Sequence, residues 1–160
     1  MIQFLSEFRR PARPLYLARL SGFCTLALVC LATSAMAQSW RNSGTTSGFY
    51  ADGRPNGIFL RCVGPSVTVN FTGYDAPLSN GTSYRVGVSV DGVARILKTR
   101  TYRVRGRSIL VHQDSLANLR PLIDDLRKGK TVEISTPAGR YNVPLQGSGA
   151  ALGALLERCG

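Results

Sequence analysis

The sequence predicts a mainly β, antiparallel domain, folded as a β-sandwich or partly open barrel of about seven or eight strands, with a short helix and a C-terminal amphipathic helix. Three observations carry this. Apolar and polar residues alternate with a period of two in one segment after another between residues 58 and 145. Glycine-centred turn pairs, Asn56-Gly57 and Asp91-Gly92 among them, separate these segments. Helical spacing of apolar residues is confined to residues 119–126 and to the tail.

The chain begins with a segment of another kind. Arg9, Arg10, Arg13 and Arg19 precede an almost wholly apolar, uncharged run over residues 20–31, and Ala35-Met36-Ala37 follows. A basic region, a short apolar region and an A-x-A site in that order mark a secretory signal peptide over residues 1–37, cleaved after Ala37. The uncharged stretch 20–40 just reaches the roughly 20 residues of a membrane span, but Ser21, Gly22, Thr25, Thr33 and Ser34 dilute it. Cys24 follows Phe23 and Cys30 follows Val29, so neither fits a lipoprotein site; Pro11 and the distance to the apolar run argue against twin-arginine export. The Sec route to the periplasm or medium is expected, with no permanent membrane anchor after cleavage.

The whole chain carries 20 Lys+Arg and 9 Asp+Glu; removing Arg9, Arg10, Arg13, Arg19 and Glu7 leaves 16 against 8, a net charge of +8. Outside the cytoplasm such a surface suits lipid head groups, anionic polysaccharide or an acidic envelope protein, and no nucleic acid is expected. Solubility alone is the competing explanation.

Residues 38–160 form the one predicted domain. Residues 38–57, rich in Ser, Gly, Thr and Asn, read as a loose arm anchored by Trp40, Phe49 and Tyr50, with a first strand near 47–52. A strand over 58–63 puts Ile58, Leu60 and Cys62 on one face. A strand over 66–72 puts Val67, Val69 and Phe71 on one face. Residues 73–81 are a polar loop. Residues 83–90 align Tyr84, Val86, Val88 and Val90, and Asp91-Gly92 then predicts a type I′ hairpin with Val90 opposite Val93, Val88 opposite Arg95 and Val86 opposite Leu97. The return strand runs over 94–104, turns at Gly106-Arg107 and resumes over 108–112. Pro121 fits the first turn of a helix starting near Asn118, and Lys128-Gly129 ends it. Strands over 131–136 and 140–145 follow. In the tail, Ser148 is the expected N-cap, and Leu152, Leu155, Leu156 and Cys159 form one helical stripe, with Gly160 free to end the helix.

Cys24 and Cys30 leave with the leader, and Cys62 and Cys159 remain as an even pair in an oxidising compartment. Each falls on the inward face of its own element, which independently favours a Cys62–Cys159 disulfide. Two thiols and the single His112 cannot build a structural zinc site.

No catalytic, metal or cofactor site is predicted. His112, Asp114 and Ser115 have the letters of a triad but sit side by side at a strand end, where the histidine cannot stand between its partners. Asp124 and Asp125 point about 100° apart on a helix. The chain has no G-x-S-x-G, phosphate-loop, calcium-loop or H-E-x-x-H pattern. The candidate binding element is the basic run Arg95, Lys98, Arg100, Arg103, Arg105 and Arg107, whose guanidinium groups suit phosphate or carboxylate. Arg103, Arg105 and Arg107 share a face if the strand continues. A solvated outer face that also blunts an edge strand is the alternative.

Trp40 behind the leader, Leu60-Arg61-Cys62, Val90-Asp91-Gly92 and the closing run from Val143 to Cys159 resemble small secreted proteins of Gram-negative bacteria. The nearest types are the invasion-associated locus B family and the TagO/VasI-type proteins associated with type VI secretion. The resemblance implies a periplasmic β-rich domain with a disulfide between Cys62 and Cys159 and no known catalytic residue. This chain lacks the extra central cysteine pair of the invasion-locus pattern and is more basic. A non-catalytic periplasmic binding or accessory protein is the expectation, contacting an anionic lipid, a polysaccharide or an envelope protein through the basic strand. An envelope-acting hydrolase, or an inhibitor of one, is the alternative.

Overall fold

Residues 38–159 are described by a computed structural model; the expected leader, its cleavage point after Ala37, and Gly160 lie outside the described residues. In chain order the elements are β1 (Ser39–Ser43), β2 (Thr46–Ala51), β3 (Arg54–Val63), β4 (Ser66–Thr72), β5 (Ser83–Val90), β6 (Val93–Val104), β7 (Arg107–Ser115), α1 (Leu116–Lys128), β8 (Thr131–Thr136), β9 (Gly139–Pro144) and α2 (Ser148–Cys159). The strands form one antiparallel sheet in the order β1-β2-β3-β4-β7-β6-β5-β8-β9. The mainly β, antiparallel class with a short and a C-terminal helix is therefore the one observed. The sheet is not closed into a barrel by a ladder. Its two edge strands nevertheless meet through a side chain: the Trp40 indole N–H of β1 donates to the Pro144 carbonyl of β9 at 2.8 Å. Nearby, the Tyr141 hydroxyl donates to the Gly57 carbonyl at 3.2 Å.

Turn chemistry sets the register. Asp91 and Gly92 both take positive φ, 45° and 93°, as a two-residue I′ turn requires. Val90 pairs with Val93, Val88 with Arg95 and Val86 with Leu97, as the sequence predicts. The period of two then assigns each side chain to a face. Ile58, Leu60, Val67, Val69, Phe71, Val86, Leu110, Val132 and Ile134 are completely buried on the inner face. The helices cover that face with Leu119, Leu122, Ile123 and Leu126 from α1 and Ala151, Leu152 and Leu155 from α2. Burying one such Leu or Ile contributes about 1.5–3 kcal/mol.

Cys62 of β3 and Cys159 of α2 form the disulfide, with Cα atoms 5.6 Å apart. Both cysteines are half-buried and pack against the core, as does Leu156 at the rim of the helical stripe.

Four local expectations are corrected. The N-terminal arm is ordered: β1 pairs with β2 with Trp40 opposite Phe49, because the indole buries and finds a carbonyl on the far edge. β3 starts at Arg54 rather than 58 and takes Pro55 into the ladder opposite Tyr50, beside an irregularity between Gly48 and Tyr50. The turn after β6 is Arg105-Gly106, with φ of 50° and 80°, so β7 already begins at Arg107. Helix α1 starts at Leu116, because Ser115 caps it by accepting the Asn118 N–H at 3.2 Å. Pro121 is tolerated inside it because both it and Ala117, whose carbonyl it cannot serve, lie on the exposed side of the helix. A further detail differs in α2. Ser148 does not cap it; its buried hydroxyl lies 2.6 Å from the Leu126 carbonyl and 2.7 Å from that of Leu145, tying α2 back to the end of α1.

Candidate anion-binding face

The outer face of the sheet is the side that the helices leave uncovered. On β6 the inner residues are Leu97, Thr99 and Thr101, all buried, so Ile96, Lys98, Arg100, Tyr102 and Val104 point outward. Register extends the row to both neighbours. Arg85 of β5 stands opposite Lys98, and Ser83 opposite Arg100. On β7, Val111 stands opposite Arg100, Ile109 opposite Tyr102 and Arg107 opposite Val104. The result is a strip with a cationic centre, Arg85, Lys98 and Arg100, flanked by Ile96 at one end and by Tyr102, Val104 and Arg107 at the other. Among the described residues the exposed large apolar side chains are Val63, Val93, Ile96 (73% exposed), Tyr102 (49%) and Val104 (47%), and the last three lie on this strip.

The six cations singled out from the sequence divide into three groups. Arg95 lies on the inner side and pairs with Asp125 of α1, joining sheet to helix. Lys98 and Arg100 are outward and exposed. Arg103, Arg105 and Arg107 do not share a face, because the chain turns at Arg105-Gly106. Arg103 stands opposite Ser108 on the inner side at the strand end, where its N–H is held by Asn80 Oδ1 at 3.0 Å. Arg105 sits in the turn, and Arg107 faces outward. Among the described residues, Arg85, Lys98, Arg100, Arg105 and Arg107 have no carboxylate within 4.0 Å. Arg85 is absent from the sequence-derived set, although the hairpin register places it opposite Lys98.

Beside this strip lies a hollow of about 880 Å³. Phe59, Thr72 and Ile109 line it together with two hairpin tips: Asp52 and Arg54 on one, Val104, Arg105 and Arg107 on the other. Tyr74 and Asp75, from the loop after β4, also line it. The Tyr74 hydroxyl is buried beside the Leu110 backbone with no partner in hydrogen-bond geometry, and burial pushes its pKa up to about 12. No sequence pattern marks this hollow, since its walls come from three separate segments.

His112, Asp114, Asp124 and Asp91 have local structural partners. His112 Nδ1 donates to the Lys98 carbonyl at 2.8 Å. Asp114 Oδ1 accepts from Asn118 Nδ2 and the Ser115 N–H, which hold its carboxyl below the usual range. The Ser115 hydroxyl is occupied by the Asn118 N–H, so among the described residues no hydrogen bond between side chains links His112, Asp114 and Ser115. Asp124 pairs with Arg120 and Arg127, and its pKa is lowered chiefly by the Arg120 hydrogen bond. Asp91 accepts the Lys130 and Thr131 N–H groups, which lower its pKa and tie the hairpin tip to β8. Among the described residues no cluster of three His, Cys, Asp or Glu is arranged to hold a metal ion, and no helix is long and apolar enough to cross a membrane.

Compared with protein-family models, with curated proteins and with solved structures, the chain finds no match.

Proposed function

We propose that this is a non-catalytic binding or accessory protein of the bacterial envelope, exported by a Sec leader cleaved after Ala37, whose outer β5–β6–β7 face docks on an anionic lipid surface. The observation that carries this reading is the strip itself: Arg85, Lys98, Arg100 and Arg107, which have no carboxylate within 4.0 Å among the described residues, flanked by exposed Ile96, Tyr102 and Val104. Cations alone would suit any polyanion. Cations set among outward apolar side chains suit an interface with charged head groups above and hydrocarbon below. Each cation near such a surface contributes about 1 kcal/mol, so four give roughly 4 kcal/mol, and the attraction is salt-sensitive. The disulfide and the likeness to the secreted invasion-associated locus B and TagO/VasI-type proteins support the compartment rather than the ligand. The alternative, an envelope hydrolase or its inhibitor, gains no support from the titratable groups described above.

Co-sedimentation with vesicles of phosphatidylglycerol and phosphatidylcholine tests the reading. Binding is expected to fall with salt, to vanish on pure phosphatidylcholine, and to be lost in an Arg85/Lys98/Arg100→Ala variant. An Ile96→Ser variant is expected to bind more weakly without losing salt sensitivity. Retention by the triple variant, or equal binding to neutral vesicles, refutes it. Salt-sensitive binding to a soluble anionic polysaccharide but not to vesicles would assign the strip to that partner instead.

A further inference from the structure

We infer that the hollow between the β2–β3 and β6–β7 tips is a binding site for an acidic sugar, one carrying a phosphate or a carboxylate. The inference shares Val104, Arg107, Ile109 and the compartment with the lipid-surface reading, and adds Asp52, Arg54, Phe59, Asp75 and Arg105. It begins with the turns. Asp52-Gly53, with φ of 51° and 72°, and Arg105-Gly106, with φ of 50° and 80°, are both two-residue turns with positive φ at each position. Each tip carries guanidinium groups to the wall of the hollow: Arg54 from one, Arg105 and Arg107 from the other. Among the described residues none of the three has a carboxylate within 4.0 Å, although Asp52 and Asp75 line the same hollow. Opposite charges around one concavity that do not neutralise each other remain available to a ligand.

The donor set selects the ligand. Guanidinium forks match the paired oxygens of phosphate or carboxylate. A carboxylate only accepts hydrogen bonds, so Asp52 and Asp75 call for hydroxyl donors. Half-buried Phe59 and Ile109 offer apolar surface for the C–H side of a ring. A volume of about 880 Å³ falls within the usual range of small-molecule sites and is far more than a bare anion fills. A fatty or aryl acid would satisfy the arginines but leave both carboxylates against apolar surface, an uncompensated cost. A neutral sugar would leave the arginines unused. A hydroxylated ring with one acidic group satisfies all three requirements.

Calorimetric titration of the disulfide-bonded protein, residues 38–160, with glucose 1-phosphate, glucuronate, glucose and inorganic phosphate tests this. At least one of the two acidic sugars is expected to bind about tenfold or more tightly than either glucose or inorganic phosphate. An Arg54→Ala/Arg107→Ala variant is expected to lose that binding by about tenfold or more. Among the described residues neither side chain makes an ion pair, so an unchanged melting temperature checks that the variant is intact. Lys98→Ala/Arg100→Ala removes the same charge outside the hollow and is expected to leave sugar binding within about twofold while weakening vesicle binding. No heat from either acidic sugar at about 10 mM overturns the inference. So does inorganic phosphate binding as tightly as the sugars, or retention of binding by the Arg54/Arg107 variant. Because the Lys98/Arg100 variant separates the two readings, the hollow can fail while the lipid-surface reading stands, and the reverse.

Discussion

Replacing both Cys62 and Cys159 by Ala is expected to lower the melting temperature sharply while leaving the fold intact. The bridge joins residues 97 apart, so it closes most of the folded chain into one loop. Loop-closure entropy for that length is roughly 4–5 kcal/mol at 25 °C. For a domain of this size each kcal/mol shifts the midpoint by about 4 °C, giving a drop of roughly 15–20 °C. The fold should survive because α2 has other attachments. Leu152 and Leu155 are fully buried. The Ser47 hydroxyl donates to the Ala151 carbonyl at 2.7 Å, and the Ser148 hydroxyl lies 2.6 Å from the Leu126 carbonyl. Far-UV circular dichroism measured through a thermal ramp reads both quantities. The expected result is an unchanged spectrum below the transition and a midpoint lowered by that amount. A drop of less than about 5 °C would mean that loop closure is not the main contribution of the bridge. An unfolded spectrum at low temperature would mean that the core and hydrogen bonds of α2 cannot hold it alone. Labelling of both cysteines in the folded, secreted protein would refute the bridge itself.

Other substitutions probe single contacts. Gly48→Ala brings a methyl group into Phe59 Cβ and to 2.9 Å from the Ile58 carbonyl across the β2–β3 ladder, and is expected to cost about 1–3 kcal/mol in urea unfolding; a neutral result would mean that the strands part freely there. Ser148→Ala leaves the buried carbonyls of Leu126 and Leu145 without its hydroxyl and should cost about 1–3 kcal/mol by the same assay, whereas no loss would show that water replaces it. The Asp91 carboxyl titrates below its unfolded value of about 3.9, so its contribution is present above that pH and is lost as pH falls through its lowered folded value. Asp91→Asn keeps a residue tolerant of positive φ and is expected to flatten the acid limb of the stability–pH curve; curves for parent and variant that stay parallel between pH 2 and 7 would refute this.

What could be read from the sequence was what local chemistry decides. Asp91-Gly92 fixes a two-residue turn, the turn fixes the register, and the register fixes which way Val86, Val88, Lys98 and Arg100 point. The neighbours of Cys62 and of Cys159 each put the cysteine on an inward face, and the two faces meet. The failures lie where a distant contact overrides a local preference. Ser39–Ser43 has the composition of a loop, and it becomes a strand because Trp40 reaches a carbonyl 104 residues away. Pro121 argues against a helix starting early, but the Ser115 cap and the Leu119, Leu122, Ile123, Leu126 stripe outweigh one missing hydrogen bond on the exposed side. The basic run was visible as composition, but its division was not. That division depends on Arg105 adopting positive φ, which an L side chain with a Cβ seldom does. Arg54 and Asp75 carry no signal at all as members of a site, because only the tertiary fold brings them to the hollow.

The distribution of apolar residues also limits how a partner can approach. An exposed strand edge recruits partners by backbone pairing. Here the two edges, β1 and β9, are linked by the Trp40–Pro144 hydrogen bond, and β9 ends at a proline, which has no N–H to donate. The exposed apolar residues lie elsewhere. Ile96, Tyr102 and Val104 belong to β6, whose ladder to β5 runs over Val93–Arg100 and whose ladder to β7 runs over Arg100–Val104. What they present to solvent is their outward side chains. Aqueous solubility would favour polar residues at these outward positions, and full burial of a side chain such as Ile96 would contribute about 1.5–3 kcal/mol. Retaining apolar groups there, beside cations that have no carboxylate partner among the described residues, makes sense for a partner that approaches face-on and is itself charged and partly apolar. Strand addition would use neither the charges nor the apolar groups of β6, so a loss of binding on substituting Lys98, Arg100 and Ile96 would separate face docking from edge pairing.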